Sequence, residues 1–116
     1  MNIYDIIPCP KPRMSRSDKW RQRTEVLRYR AFCDEVRLKK VAFDNATHVF
    51  FILPMPESWS KVKRARMDGQ PHQSRPDADN LIKALGDALY VEDSHLWNYA
   101  VTKLWGVAGQ IRIVKI

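Results

Sequence analysis

The strongest constraint on the fold is an amphipathic stretch at 79–89. Its larger apolar side chains fall within one arc of a helical wheel, and they are Leu81, Ile82, Leu85, Ala88 and Leu89. The opposite arc is polar and carries Asp79, Asn80, Lys83 and Asp87. This period predicts a helix that packs its apolar face on a core and exposes a charged face.

The N-terminal half of the chain predicts a strand, a helix and a second strand. Residues 2–7 are rich in β-branched and aromatic side chains and run into three prolines, which predicts a strand followed by an extended loop. Apolar positions then recur at helical spacing over 26–36, after a candidate cap at Ser17 or Asp18. The segment 46–56 is almost continuously apolar and predicts an internal strand buried on both faces.

The C-terminal half predicts a basic loop, the amphipathic helix and two more strands. The stretch 57–76 is basic and ends in Gly, Pro and Ser, which predicts a short helical turn and then a mobile loop. The segments 95–106 and 109–116 predict a closing hairpin around a turn at 106–109. At 116 residues we expect one α/β domain of order β-α-β-(basic loop)-α-β-β, with a small mixed sheet flanked by helices.

The charge balance favours a polyanionic partner. Twenty Lys and Arg against thirteen Asp and Glu give a formal charge of +7, so nucleic acid is the favoured ligand. The longest apolar run, 49–53, is far too short to span a bilayer, and we expect no membrane attachment. Cys9 and Cys33 lack metal or redox spacing and no export signal is visible, so we expect a cytoplasmic protein with reduced thiols.

Five acidic residues are gathered between Arg75 and His95 in this otherwise basic chain. If the chain stays extended after Pro76, Asp77 and Asp79 point to the same side. A helix cap would account for Asp79 alone, but it would explain neither Asp77 nor the acidic pair after the helix. Clustered carboxylates repel unless a cation lies between them, and Mg²⁺ prefers oxygen ligands of this kind.

Lys83 lies one helical turn after Asp79, where its ammonium group can meet a phosphate. Acids, this lysine and a basic surface together indicate nuclease chemistry. Two alternatives stay open: a non-catalytic basic DNA-binding protein whose acids cap a helix, and another D-x-D metal-dependent phosphotransfer enzyme. The second would need a glycine-rich phosphate loop, and the four scattered glycines do not form one.

The stretches "RPDADNLIKALGDAL" and "VEDSH" resemble the RusA family of Holliday junction resolvases, in particular its short phage and prophage members. The resemblance extends more loosely to "PKPR" at 10–13, to the basic segment 58–72 and to "TKLWG" at 102–106. It implies a RusA-like fold and a homodimeric crossover junction endodeoxyribonuclease. Such an enzyme uses Mg²⁺, with Mn²⁺ as a possible substitute, and nicks opposing strands of branched DNA symmetrically in recombination and repair.

The resemblance also assigns roles to residues. Asp77 and Asp79 match the two motif aspartates and Asp93 the third, so these three are the expected catalytic metal ligands. Lys83 matches the motif lysine and Asn80 belongs to the same motif, while Glu92 is a secondary acidic neighbour. The connection "LYVED" is shorter than in many relatives.

Candidate DNA contacts are the cations near this segment together with two motif residues: Arg13, Lys61, Lys63, Arg64, Arg66, Arg75, Asn80 and Lys83. We expect Asp87 to be an i,i+4 partner of Lys83 on the helix surface. Trp59 is the better aromatic candidate for DNA contact, although packing is its simpler interpretation. Trp97 and Trp105 are expected in the core or in a dimer interface.

Overall fold

The computed structural model describes residues 1–12 and 24–116. The helices and strands are β1 (Asn2–Tyr4), α1 (Thr24–Leu38), β2 (Thr47–Pro54), α2 (Lys61–Met67), α3 (Ala78–Leu89), β3 (Tyr99–Gly106) and β4 (Gln110–Lys115). The predicted α/β class, with its mixed sheet, is confirmed. The candidate cap at Ser17 or Asp18 and the candidate DNA contact Arg13 lie outside the described residues.

The four strands form one sheet in the order β1-β4-β2-β3. β2 is internal: it pairs in parallel with β3 and antiparallel with β4. The predicted hairpin of β3 and β4 is therefore wrong, because β2 lies between them. Glycines in the connection predict a reversal of the chain but not which strands pair across it, and the most apolar strand takes the central place where both its edges are paired.

The core lies between one face of the sheet and the helices α1 and α3. Alternate β2 residues, Val49, Phe51 and Leu53, are buried on this face. The predicted apolar arc of α3 is confirmed, since Leu81 and Leu85 are almost completely buried within the same cluster. His48 and Phe50 on the opposite face of β2 are only half-buried, and Ile52 alone is buried there, so the expectation of full burial on both faces holds only in part.

Polar contacts join the two core helices. The Nε of Arg37 donates to the carbonyl oxygen of Ala88 at 2.8 Å, near the C-terminal end of α3. The hydroxyl of Tyr29 donates to the carbonyl oxygen of Ala84 at 3.2 Å. Because the last carbonyls of a helix lack partners within the helix, the Arg37 contact both satisfies one of them and places a positive charge at the negative end of the helix dipole.

The basic segment forms a short helix and then a connection that hydrogen-bonds along the sheet. Ser60 caps α2, its side chain accepting a hydrogen bond from the backbone N–H of Lys63 at 3.2 Å. The chain then follows the outer edge of β3, where the N–H of Gly69 donates to the carbonyl oxygen of Trp105 and the N–H of Trp105 to that of Gln70, both at 2.9 Å. These backbone bonds cover part of an edge that would otherwise present unpaired groups.

Candidate active site

The N-terminus of α3 carries the two motif aspartates. Asp77 occupies the N-cap position in an extended conformation, and its exposed side chain makes no capping hydrogen bond. Asp79 lies in the first turn, where its Oδ1 accepts a hydrogen bond from the N–H of Asn80 at 2.9 Å. The helix begins at Ala78, so Asp77 and Asp79 are separated by helical rotation and not by the two-residue repeat of a strand.

Asp79, Lys83 and Asp93 line one cavity. Its volume is about 370 Å³, and its other lining residues are Phe43, Ile82, Gly86, Ser94, Leu96 and Tyr99. The Nζ of Lys83 lies 3.3 Å from Oδ2 of Asp93. Tertiary packing therefore brings the motif lysine and the third motif aspartate into direct contact with each other and into a shared cavity with Asp79.

Asp77 lies beside a different depression. It lines an open depression, with a volume of about 740 Å³, together with Pro10, Arg75, Pro76 and Asn80. Asp77 and Asp79 therefore do not share one cavity: Asp77 lines the depression with Arg75 and Asn80, and Asp79 lines the cavity with Lys83 and Asp93. The physical reason is the early start of α3, since two residues apart on a helix lie on opposite flanks.

Two features hold Asp93 over α3. The carboxylate of Asp93 lies against α3 at Gly86, where an added Cβ would be 3.4 Å from its Oδ2, an ordinary contact distance. The segment after Asp93 is fixed by Asn45, whose Nδ2 donates to the carbonyl oxygen of His95 at 3.0 Å and whose Oδ1 accepts from the N–H of Trp97 at 2.8 Å. A short turn, rather than a long loop, therefore returns the chain to the cavity.

The lysine and acids form a chain of ion pairs. Asp87 contacts Lys83 at 3.4 Å, which confirms the expected i,i+4 pair, and it also accepts a hydrogen bond from Lys11 at 2.9 Å. The hydrogen bond that Lys83 donates to Asp93, followed by the charge of Asp87 and the hydrogen bond to it, raises the pKa of Lys83. Lys83 is therefore a cation at neutral pH, suited to stabilise negative charge and not to remove a proton.

Opposing effects set the pKa of Asp87. Burial would raise it, but the hydrogen bond and charge of Lys11, followed by those of Lys83, outweigh burial and lower the pKa below its ordinary value. Asp87 therefore stays ionised at neutral pH between two lysines. Its contact with Lys11 ties the N-terminal loop to α3.

The donor atoms in the cavity are of the type that Mg²⁺ binds. Mg²⁺ takes hard oxygen ligands and uses one or two carboxylates together with waters and substrate phosphates, which the pair Asp79 and Asp93 can provide. Within residues 1–12 and 24–116, no group of three Asp, Glu, His or Cys side chains is assembled as a metal cluster. The expected convergence of Asp77 with the other two aspartates is accordingly not present, and Asp77 stands at the neighbouring depression.

A comparison with protein families decides the relationship. The family model described as endodeoxyribonuclease RusA matches residues 5–114 of the 116-residue chain. The chain belongs to the RusA family. The resemblance carried by the acidic segment is thereby confirmed, and it extends over nearly the whole domain. A search of curated protein sequences found no match.

The predicted basic contacts of this RusA-family chain divide into two groups. Arg64 donates to the carbonyl oxygen of Pro56 at 2.9 Å, and the Nζ of Lys63 lies 4.2 Å from the centre of the Trp59 ring, so both serve the packing of the basic segment. Lys61 and Arg66 are exposed on α2. Arg75 is exposed beside Asp77, and Asn80 lines the same depression.

The aromatic residues also separate by role. The rings of Trp59 and Trp105 pack with their centres 4.8 Å apart, and His72 packs on Trp105 at 3.9 Å, which supports the packing interpretation of Trp59. Trp97 is 80% exposed, so of the two expected positions, core or dimer interface, the core is excluded for this residue. Trp105 is half-buried where its ring packs against Trp59 and His72.

Sequence reasoning missed several residues that shape this RusA-family site. Lys11 donates to Asp87, and Asn45 donates to the carbonyl oxygen of His95 in the turn after Asp93. Gly86 lies beneath the carboxylate of Asp93. The only local signal was the "PKPR" resemblance, which includes Lys11. In the described part of the chain, no helix is both long and apolar enough to cross a membrane.

Proposed function

We propose that this RusA-family chain is a Mg²⁺-dependent endodeoxyribonuclease that resolves four-way (Holliday) DNA junctions in recombination and repair. The observation that carries the proposal is the cavity shared by Asp79, Lys83 and Asp93, with Lys83 and Asp93 3.3 Å apart. A helix surface and a distant turn meet there, so the acids and the cation are close in space and not only in sequence. Family membership supports nuclease chemistry.

In this proposal the carboxylates of Asp79 and Asp93 would hold the divalent ion, and Asp77, the further ligand that the resemblance implies, would act from the N-cap of α3 at the neighbouring depression. Mn²⁺ is an acceptable substitute because carboxylate and water ligands also suit it. When bound, the ion supplies neutralisation of charge on the reacting phosphate and makes a water molecule more acidic. Lys83 stays protonated and donates to a phosphate oxygen as negative charge develops.

The DNA backbone is held by exposed cations around this site, together with the amide of Asn80. Arg75 and Asn80 flank Asp77 at the open depression, and Lys61 and Arg66 extend the positive surface along α2. Arg13, Lys63 and Arg64 were the other predicted contacts; Lys63 and Arg64 contribute through the packing of the segment. Phosphate contacts of this kind position a junction without reading its sequence.

We further propose that the active form is a homodimer acting in the cytoplasm. Two symmetric nicks across a four-way junction require two active sites related by a two-fold axis, which a symmetric dimer supplies. A single chain carries one cavity with Asp79 and Asp93, so paired cleavage of one junction calls for a second copy.

The decisive experiment incubates the purified protein with a synthetic four-way junction or a matched linear duplex, with Mg²⁺ or with EDTA, and separates the products on a gel. We expect paired nicks in the junction only when the divalent ion is present. Binding without nicking under either Mg²⁺ or Mn²⁺ would favour the non-catalytic alternative.

Asp77→Asn tests the assignment of the N-cap aspartate. This change keeps the size of the side chain but removes its charge, so we expect junction binding in a mobility-shift assay to persist while cleavage is lost. Asp34→Asn, an exposed change on α1, is the matched control. Loss of binding together with cleavage would mark Asp77 as structural.

A further inference from the structure

A lysine on β3 fastens the chain immediately ahead of the acidic motif. The Nζ of Lys103 donates to the carbonyl oxygen of Ser74 and to that of Pro76, each at 2.7 Å. Pro76 directly precedes Asp77, the N-cap residue of α3. One side chain of the sheet therefore holds the backbone on the approach to the first motif aspartate.

The position of these bonds follows from where backbone pairing stops. The chain runs along the edge of β3 as far as His72, whose N–H donates to the carbonyl oxygen of Lys103 at 3.0 Å. After His72 it turns away from the edge toward α3, and the Lys103 side chain continues the connection beyond the backbone bonds. An ammonium group has three donors, and its charge strengthens each bond to a carbonyl oxygen.

The register of the sheet explains why Lys103 can reach this segment. Lys103 pairs with Phe51 of β2, whose side chain is fully buried on the face that α1 and α3 cover. Paired residues on neighbouring strands project to the same face of a sheet. Lys103 therefore projects to the side on which α3 begins, while its half-buried stem packs at the border of the core.

We propose that Lys103 is a positioning residue that sets where Asp77 and Asp79 stand relative to Asp93. The inference rests on the proposed nuclease function. Lys103 is not among the residues that line either of the two depressions at the site, so it acts through the backbone of 74–76 and not by touching DNA. A shift of this segment would move the start of α3, and with it both motif aspartates, away from the turn that carries Asp93.

The test compares Lys103→Met with the wild-type protein. Methionine keeps the length and packing of the stem but removes the ammonium group and with it both hydrogen bonds. We expect kcat for junction cleavage to fall about 10- to 100-fold with little change in KM, because displaced catalytic groups lose rate more than ground-state binding. Hydrogen exchange should increase in peptides covering 73–80 and stay unchanged in α1. Lys115→Met, which removes the same charge from the end of β4, is the matched control and should cleave as the wild type does.

Lys103→Arg provides the rescue. Arginine also presents several donors, so we expect it to restore most of the protection of 73–80 and most of kcat. It also carries the test should Lys103→Met fail to fold. In that case full kcat in a Lys103→Arg protein whose 73–80 segment has lost protection would overturn the inference.

The results separate this inference from the proposed function. If the wild-type protein does not cleave the junction, the nuclease proposal itself fails. If the wild-type protein cleaves and Lys103→Met cleaves at the same rate, only the role of Lys103 is wrong. A parallel fall of kcat and junction affinity, without altered exchange at 73–80, would instead indicate a direct DNA contact and would also overturn the positioning role.

Discussion

Asp87 shows how a residue outside the proposed catalytic group supports the site. Its side chain, 20% exposed, contacts both Lys11 and Lys83. The second contact holds the motif lysine on the polar arc of α3, and the first brings the N-terminal loop to the same helix. An i,i+4 pair predicted from the sequence is thus the centre of a longer chain of charges that ends at Asp93.

Asp87→Asn should weaken the fold in a pH-dependent way. Because the pKa of Asp87 is lowered in the folded chain, its stabilisation is present above the ordinary value of 3.8 and is lost as the pH falls through the lower folded value. We expect the variant to lose about 0.5–1 kcal/mol of unfolding free energy at pH 7, and the difference from the wild type to disappear as the pH falls below the lowered folded pKa of Asp87. Urea denaturation at several pH values measures this.

Asp34→Asn on the surface of α1 serves as the control for that measurement, since it removes an exposed carboxylate from another helix. It should change stability by less than about 0.5 kcal/mol. An Asp87→Asn protein as stable as the wild type at pH 7 would show that the two lysine contacts contribute nothing.

At the scale of elements, α3 combines a packing role with a functional one. Its apolar arc enters the core, its N-terminus carries Asp77 and Asp79, and its middle turn supports Asp93 at Gly86. Glycine is an unfavourable residue inside a helix. A Cβ at Gly86 would meet Asp93 at an ordinary contact distance of 3.4 Å, so the space beside Asp93 admits alanine but not a longer side chain.

Substitutions at Gly86 should separate stability from activity. A Cβ there meets Asp93 and Leu96 only at ordinary contact distances of 3.4 Å and 3.9 Å, so we expect Gly86→Ala to fold and to raise the unfolding free energy by about 0.5–1 kcal/mol. Gly86→Leu must place further atoms in the space of Asp93, so we expect it to lose most junction cleavage. Thermal denaturation and the junction assay measure the two effects.

The alanine variant is the control for the leucine variant, because both remove the glycine and only one reaches into the cavity. A Gly86→Leu protein that folds and cleaves at the wild-type rate would show that the placement of Asp93 against α3 is not needed for cleavage.

At the scale of the whole molecule, the formal charge of +7 acts on DNA only through those cations that are not used internally. Lys61 and Arg66 are exposed on α2, whereas Arg64 is bound to a backbone carbonyl and Lys63 lies over Trp59. The net charge therefore overstates how many cations can contact phosphate. The contacts made within the protein identify the cations that stay available for DNA.

Salt titration of junction binding measures these contacts. We expect Lys61→Gln and Arg66→Gln each to reduce the slope of log K against log salt by about one unit, since each removes one phosphate contact. Lys115→Gln, at the end of β4, should leave the slope unchanged. Equal slopes for all three variants and the wild type would place the DNA on another surface.

Local sequence patterns were sufficient to predict several features of this protein. The helical period of 79–89 predicted α3 and its buried face, because side chains that face a core from a helix must recur at that spacing. The stretches "RPDADNLIKALGDAL" and "VEDSH" carried the resemblance to the RusA family, and the basic composition separately favoured a nucleic-acid partner. Each of these inferences depends on residues that are close together in the chain.

Long-range packing decided the rest. The turn at 106–109 predicted a hairpin, but β2 separates β3 from β4 because pairing depends on a competition among all the strands. The start of α3 at Ala78, and not the extended geometry assumed from Pro76, directed Asp77 and Asp79 to different depressions.

The residues that hold the site in place were equally invisible beforehand. Lys11 meets Asp87 across 76 positions, and Asn45 meets Trp97 across 52. Periodicity and motifs describe neighbours along the chain, whereas contacts of this length exist only after the sheet and helices have packed. The sequence therefore determined which acidic and basic groups the segment 75–95 carries. The relative positions of these groups depended on long-range packing, which local patterns do not describe.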